Sequence, residues 1–230
     1  MIINCEEETL MHVRVSMAMT ADGKTADEDG EWFPLCPYER QRIYSHMSWS
    51  DAIIVGAETV MNTDISFMPP GSFGRPIRAV IDPSLRTDPS KKIYTSRKGS
   101  VIVFTSEKSY SEKADRVESL KKVGAEVVPL KESEEGGRIA VEEILAFLKK
   151  NGAEKILVLG GGRTNYYFFR NNLVDEYYIT ISPILLGESK YTPISGGSFP
   201  FPGIKLKLIE WKICECGEEV VLKYAPLRRP

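Results

Sequence analysis

Residues 156–165 read Ile156-Leu157-Val158-Leu159-Gly160-Gly161-Gly162-Arg163-Thr164-Asn165: a short apolar run, three glycines, and a polar helix start. The apolar run reads as a buried strand, residues 166–175 as a helix, and residues 176–183 as the next apolar strand. Strand, glycine turn and helix N-terminus together form a site for an anion. Glycine lets the backbone approach a phosphate closely, and the first helical turn leaves N–H groups without intrahelical partners. A cofactor carrying a phosphate is the first expectation. The competing explanation is steric, because a glycine turn also serves close packing of a helix on a sheet.

Upstream of this turn the chain alternates strand and helix. Residues 11–19, 51–56, 77–82, 101–105 and 125–130 read as strands, and 37–49, 57–62, 109–123 and 140–150 as helices. Pro37 suits a first helical turn, with Tyr38, Ile43, Tyr44 and Met47 as apolar contacts. The last of these helices is the clearest: Val141, Ile144, Leu145 and Leu148 recur at i, i+3, i+4 and i+7. Glu142 and Glu143 fall in its first turn, Lys149 and Lys150 in its last, and Asn151-Gly152 stops it. Asp22-Gly23 and Asp29-Gly30 mark turns in residues 20–34, and residues 66–76, 83–100 and 131–138 read as loops. Beyond residue 174 the pattern changes to strands without helices, at 177–183, 205–214 and 218–224. Alternation gives a parallel sheet and consecutive strands an antiparallel edge. The expected fold class is therefore α/β: one mixed, mostly parallel sheet, helices on both faces, and an antiparallel C-terminal edge. No repeat or linker divides the chain, so an N-terminal arm (1–10) and one domain (11–230) are expected.

Composition narrows the function. The 230 residues are 42% hydrophobic and 27% charged, ordinary for a globular protein that buries a core. Thirty basic against 32 acidic residues leave a formal charge of −2, which gives no whole-chain attraction to nucleic acid or anionic membranes. No apolar run approaches the ~20 residues that span a bilayer. Glu6, Glu7 and Glu8 replace the basic start of a signal peptide, so a cytoplasmic location is expected. Cys5, Cys36, Cys214 and Cys216 are scattered, and only the last two are close in sequence. A Cys-x-Cys pair in a strand shares one face, but no nearby pair completes a zinc set. With only His12 and His46 besides, no metal is expected and the cysteines read as ordinary core or surface residues.

The segment Ser16-Met17-Ala18-Met19-Thr20-Ala21-Asp22-Gly23-Lys24-Thr25-Ala26 resembles the first strand and Asp-Gly-Lys turn of the riboflavin-biosynthesis pyrimidine reductases. These are the reductase domain of the bacterial deaminase/reductase and its stand-alone archaeal counterparts. Matches continue in order through 51–60, 75–82, 160–165, 173–176 and 182–187, so the resemblance covers roughly residues 11–225. It implies a dihydrofolate-reductase-like fold, an NADPH cofactor and a homodimer. It also implies the reaction: a ribosylamino-pyrimidinone 5′-phosphate is reduced to its ribitylamino form by hydride delivery to C1′ of the opened sugar.

Position by position, the resemblance places Ala18 and Met19 against the nicotinamide and Trp32 near the cofactor. Thr59 and Thr63 touch the cofactor, and Gly160, Gly161, Gly162, Arg163, Thr164, Asn165 and Tyr166 wrap its pyrophosphate. Ser84 and Arg86 suit the adenosine 2′-phosphate, as a hydroxyl donor and a guanidinium able to fork onto phosphate; a solvated loop arginine is the plain alternative. Asp22 and Lys24 are the polar candidates for proton donation. Lys24 could equally hold a ribose hydroxyl or phosphate, and Asp22 could simply cap its turn. Glu31 and Asp64 are further candidates for the substrate side. Departures gather on that side. Leu159 stands where the family has a glutamate, one of two family aspartates survives (Asp64), and two family arginines fall at Met47 and near Pro70, with Arg75 a stand-in. The cofactor half is better matched than the substrate half. A relative that reduces another small substrate, or a non-catalytic nucleotide-binding module, are the alternatives.

Overall fold

The computed structural model describes residues 11–31, 36–72, 76–96, 99–132 and 139–227. Trp32, Arg75, Cys5 and the expected arm lie outside them. In chain order the elements are β1 (His12–Thr20), α1 (Pro37–Trp49), β2 (Ala52–Gly56), α2 (Ala57–Thr63), β3 (Ile77–Ile81), α3 (Lys92–Thr95), β4 (Val101–Ser106) and α4 (Glu107–Glu112). Next come α5 (Ala114–Lys122), β5 (Glu126–Leu130), α6 (Val141–Lys150), β6 (Lys155–Val158), α7 (Gly162–Arg170), β7 (Glu176–Ser182), β8 (Leu206–Ile213) and β9 (Val220–Pro226).

They build one nine-stranded sheet in the order β5-β4-β3-β2-β6-β1-β7-β9-β8. The seven strands from β5 to β7 run parallel, and β9 and β8 add antiparallel pairs. This is the α/β class and antiparallel edge read from the sequence. The reason is burial: β2 and β4 are buried throughout, as only a strand covered on both faces can be. On one face Val13, Val15, Ile54, Ile156 and Val158 pack against Ile144 and Leu148 of α6 and Phe168 and Phe169 of α7. On the other, Ile53, Val55, Val80 and Val103 pack against Met47 of α1, Val60 of α2 and Val117 and Leu120 of α5.

Three local readings are corrected. The helix expected over 109–123 is two, α4 and α5, broken at Lys113, whose φ of −119° and ψ of 50° are not helical. The helix after the glycines starts at Gly162, so the polar Arg163-Thr164-Asn165 run is its first turn as expected, but it stops at Arg170 and not at 175. In α1 the buried residues are Glu39 and Met47, while Tyr38 points to solvent.

Two neighbouring strands set up the site. From β2 the chain leaves through α2 toward β3; from adjacent β6 it leaves through α7, across β1, toward β7. The two helices lie on opposite faces, so their N-termini diverge at the carboxyl ends of β2 and β6. In an open parallel sheet this switch point is where a ligand crevice forms.

Candidate active site

The glycine turn is held on both sides. Gly160 has φ of +88°, its carbonyl accepts the Gly56 N–H at 2.8 Å, and a Cβ there would lie 2.9 Å from Met17 Sδ. The Gly160–Gly161 peptide is cis. A Cβ on Gly162 would collide with the Thr192 carbonyl oxygen and lie 2.7 Å from Ser195 Oγ. The loop over 192–198 is fastened there: Ser195 N–H donates to the Gly162 carbonyl (3.1 Å), Asn165 Nδ2 to the Pro193 carbonyl (2.9 Å) and Tyr166 OH to the Ser198 carbonyl (3.1 Å). The steric explanation for these glycines is therefore satisfied.

The anion explanation is also supported by the groups left open. Gly161, the N-cap of α7, offers no side-chain cap, and the N–H groups of Gly162, Arg163 and Thr164 have no acceptor among the described residues. Uncapped donors at the positive end of a nine-residue helix favour a phosphate. Thr59 Oγ1 sits beside this turn, 3.2 Å from a Cβ built on Gly161.

Other expected residues divide by whether they are spoken for. Ala18 and Met19 are half-buried near the carboxyl end of β1. Thr164, Asn165 and Tyr166 are buried. Thr164 Oγ1 abuts Gly56, 2.7 Å from where a Cβ would be, and Tyr166 stacks on Phe199 at 5.0 Å. Asn165 Oδ1 is a buried acceptor with no partner among the described residues. Arg163 is exposed and lies over Gly196. Thr63 spends its hydroxyl on the Thr59 carbonyl (2.8 Å), and Asp64 accepts from the Lys92 backbone at 2.9 Å and pairs with its ammonium at 3.3 Å. Leu159 is half-buried against the core cluster that includes Ile53 and Leu157.

After β3 the chain forms a fixed turn. Buried Asp82 accepts from the Thr87 N–H (2.8 Å) and hydroxyl (2.9 Å), and Arg116 donates to the Thr87 carbonyl (2.6 Å). This turn displays Ser84 and Arg86 to solvent, and Arg86 has no hydrogen-bond or ionic partner among the described residues. After β1, Asp22 accepts from Thr20 Oγ1 (2.5 Å) and the N–H groups of Leu186 and Gly187 (2.7 Å to the latter). The Thr20 hydroxyl and then the Gly187 N–H hold its carboxyl below the usual range, so it is ionised at neutral pH. Lys24 Nζ reaches the Ser189 carbonyl at 3.2 Å, and Glu31 is exposed with its own N–H on Asp27.

The densest charged network lies elsewhere, between α1 and strands β7 and β9. Arg14 pairs with Glu176 (2.7 Å), stacks on Trp49 (3.8 Å) and donates to His46 Nδ1 (2.9 Å). Burial and then the Arg14 charge depress His46 to about 4. Burial would raise Glu176, but bonds from Lys223 and Arg14 override it and hold it at about 2. Glu39, inward on α1, accepts from Thr180 (2.7 Å) and pairs with Arg42 (2.7 Å). No contiguous motif announces this network; the alternation Tyr178, Thr180, Ser182 on β7 is the one sequence signal for a polar face.

Residues 11–222 match the family described as the RibD C-terminal domain. The chain belongs to this family. It is 27% identical over 218 residues to the 2,5-diamino-6-ribosylamino-4(3H)-pyrimidinone 5′-phosphate reductase of Methanothermobacter thermautotrophicus, covering 93% of this chain and 97% of that protein. The reductase of the same name from Archaeoglobus fulgidus is 30% identical over 201 residues, 82% of this chain and 88% of that one. Riboflavin biosynthesis protein RibD of Bacillus amyloliquefaciens is 29% identical over 77% of this chain but only 47% of its own length. The chain thus spans about half the length of such bacterial relatives. Acinetobacter baumannii RibD superposes with a TM-score of 0.76 at 19% identity, over 96% of this chain and 59% of that one. A Saccharomyces cerevisiae riboflavin biosynthesis reductase gives 0.74 at 19% identity, over 96% and 92%. The fold is the dihydrofolate-reductase-like one. Among the described residues, no helix is long and apolar enough to cross a membrane.

Proposed function

We propose that the chain is an NADPH-dependent reductase of riboflavin biosynthesis, converting a ribosylamino-pyrimidinone 5′-phosphate to the ribitylamino form. The observation that carries this reading is the nearly end-to-end match to archaeal reductases of that name. The residues present suit the cofactor. The open N–H groups of Gly162, Arg163 and Thr164, with Thr59 beside them, suit a pyrophosphate. Half-buried Ala18 and Met19, near the carboxyl end of β1, suit contact with the nicotinamide, and Ser84 with Arg86, which has no partner among the described residues, suits the 2′-phosphate. NADPH, when bound, supplies the hydride; the protein's task is to hold C1′ in near-attack geometry beside it. Asp22, ionised and fully engaged, serves as a fixed staple between β1 and Leu186–Gly187 instead of a proton donor. Lys24 is then the turn's candidate to hold a ribose hydroxyl or phosphate, or to give a proton. The test is substrate-dependent NADPH oxidation. Tight NADPH binding without turnover of this substrate would count against the reading.

A second reading is favoured by one observation: Leu159, apolar and packed where the family has a glutamate. A reductase of the same fold for another small substrate fits it. Gain of pyrimidine reduction in Leu159→Glu would support that drift. A homodimer is also proposed, through the β8 edge, where Trp211 is 63% and Ile213 60% exposed. A monomer by sedimentation would contradict it.

A further inference from the structure

Cys36, Cys214, Cys216 and Glu219 place one ligating atom each within 4.8 Å of all the others. Cys36 caps the N-terminus of α1; the other three lie at the hairpin turn joining β8 to β9. Cys36 and Cys214 are 178 residues apart in sequence, which is why the cysteines look scattered along the chain. Their sulfurs stand 3.6 Å apart, unbonded. That separation is close to the roughly 3.8 Å edge of a tetrahedron with metal–sulfur bonds of about 2.3 Å.

The surroundings are those of a bound cation. Two of the sulfurs accept from nitrogen donors: Cys36 from the Glu39 N–H (3.3 Å) and Cys214 from the Arg42 guanidinium (3.2 and 3.3 Å). Such donors orient and stabilise metal-bound thiolates. Glu219 is 4% exposed; Ser182 Oγ holds its Oε1 at 2.8 Å, and its Oε2 faces the thiols, 3.0 Å from Cys36 Sγ. Negative groups outnumber positive ones here. Glu39, Glu215 and Glu219 share Arg42, while Lys212 pairs with Glu215. A buried carboxylate that faces three thiols and has only a share of one guanidinium is an unfavourable arrangement that a divalent ion resolves.

We propose that these four residues form a structural zinc site. Thiolate donors select zinc over magnesium or calcium, and four protein ligands leave no position open for catalysis. Binding displaces the thiol protons to solvent, including the one between Cys36 and Glu219, and forms three Zn–S bonds and one Zn–O bond with no change of oxidation state. The ion clamps the start of α1 to the hairpin.

The test is metal content of the full chain, purified reduced and without chelator from zinc-supplemented medium. About one zinc per chain is expected, and cobalt(II) substitution should give the visible bands and sulfur charge-transfer absorption of a tetrahedral thiolate site. Cys214→Ser with Cys216→Ser should bring zinc to background. Ser182→Ala, which leaves every ligand in place, should weaken zinc about tenfold in competition with a chromophoric chelator. The proposal is overturned if reduced wild-type protein neither carries nor takes up zinc, if the double variant retains it, or if Cys36 and Cys214 form a disulfide instead. These readouts are independent of reductase activity.

Discussion

The crevice at β2 and β6 and the polar layer under α1 are built from opposite materials. In the crevice the groups that matter are backbone N–H donors and glycines, and one of its cationic side chains, Arg86, has no partner among the described residues. Away from the cysteine cluster the layer's charges are answered: Arg14 by Glu176, and Glu39 by Arg42 and the Thr180 hydroxyl. A polar group left unanswered at a rigid edge is available to a ligand, whereas one that is answered and buried belongs to the fold. Mutations in the two regions should therefore separate. Those in the layer should cost stability, and those in the crevice should cost affinity.

The largest expected effect tests the layer. Arg42→Met leaves Glu39 and Glu219, 2% and 4% exposed, without their cation. The loss should be about 4 kcal/mol in urea unfolding under reducing conditions, with NADPH affinity of the folded fraction unchanged. Equal stability would mean that the layer is not what ties α1 to the sheet.

Acid should act on the same layer. His46 titrates at about 4 in the fold against 6.5 unfolded, so between those values the unfolded chain holds the extra proton. Stability present above pH 6.5 should fall toward pH 4, by at most about 3 kcal/mol. Glu176, at about 2 against 4.5, adds a second loss between those values as pH falls further. In His46→Gln the upper part of the slope should vanish from a plot of the urea midpoint against pH.

Gly162→Ala is the exception that joins the regions, because its cost in the crevice is steric. A Cβ meets the Thr192 carbonyl and Ser195 together. About 2 kcal/mol of stability should be lost, and NADPH binding should weaken with it as the first turn of α7 shifts. An unchanged affinity would argue that the phosphate does not sit on this turn.

The crevice is legible in sequence because its signals are local. A strand, a glycine turn and a helix start are contiguous over 156–165, and strand–helix alternation fixes which edge of a parallel sheet they reach. The layer is not legible, because Arg14, Glu39, Glu176 and Cys214 meet only after β1, β7 and β9 pair. Local signals also fail where tertiary packing decides the outcome. Nothing in residues 109–123 announces the break at Lys113, and Glu39, polar in every sequence scale, turns inward because Thr180 and Arg42 await it.

The smallest stability effect gives the sharpest test of the contrast. Arg86 is exposed on a turn that Asp82, Thr87 and Arg116 hold without it, so Arg86→Ala should change folding stability by no more than about 0.5 kcal/mol. If its guanidinium grips the 2′-phosphate, removing that charge-assisted contact should weaken NADPH roughly tenfold and leave NADH untouched. A uniform loss for both cofactors would place Arg86 on another phosphate. No loss for either would make it a solvated arginine, and the phosphate-binding role of the crevice would then rest on the backbone of α7 alone.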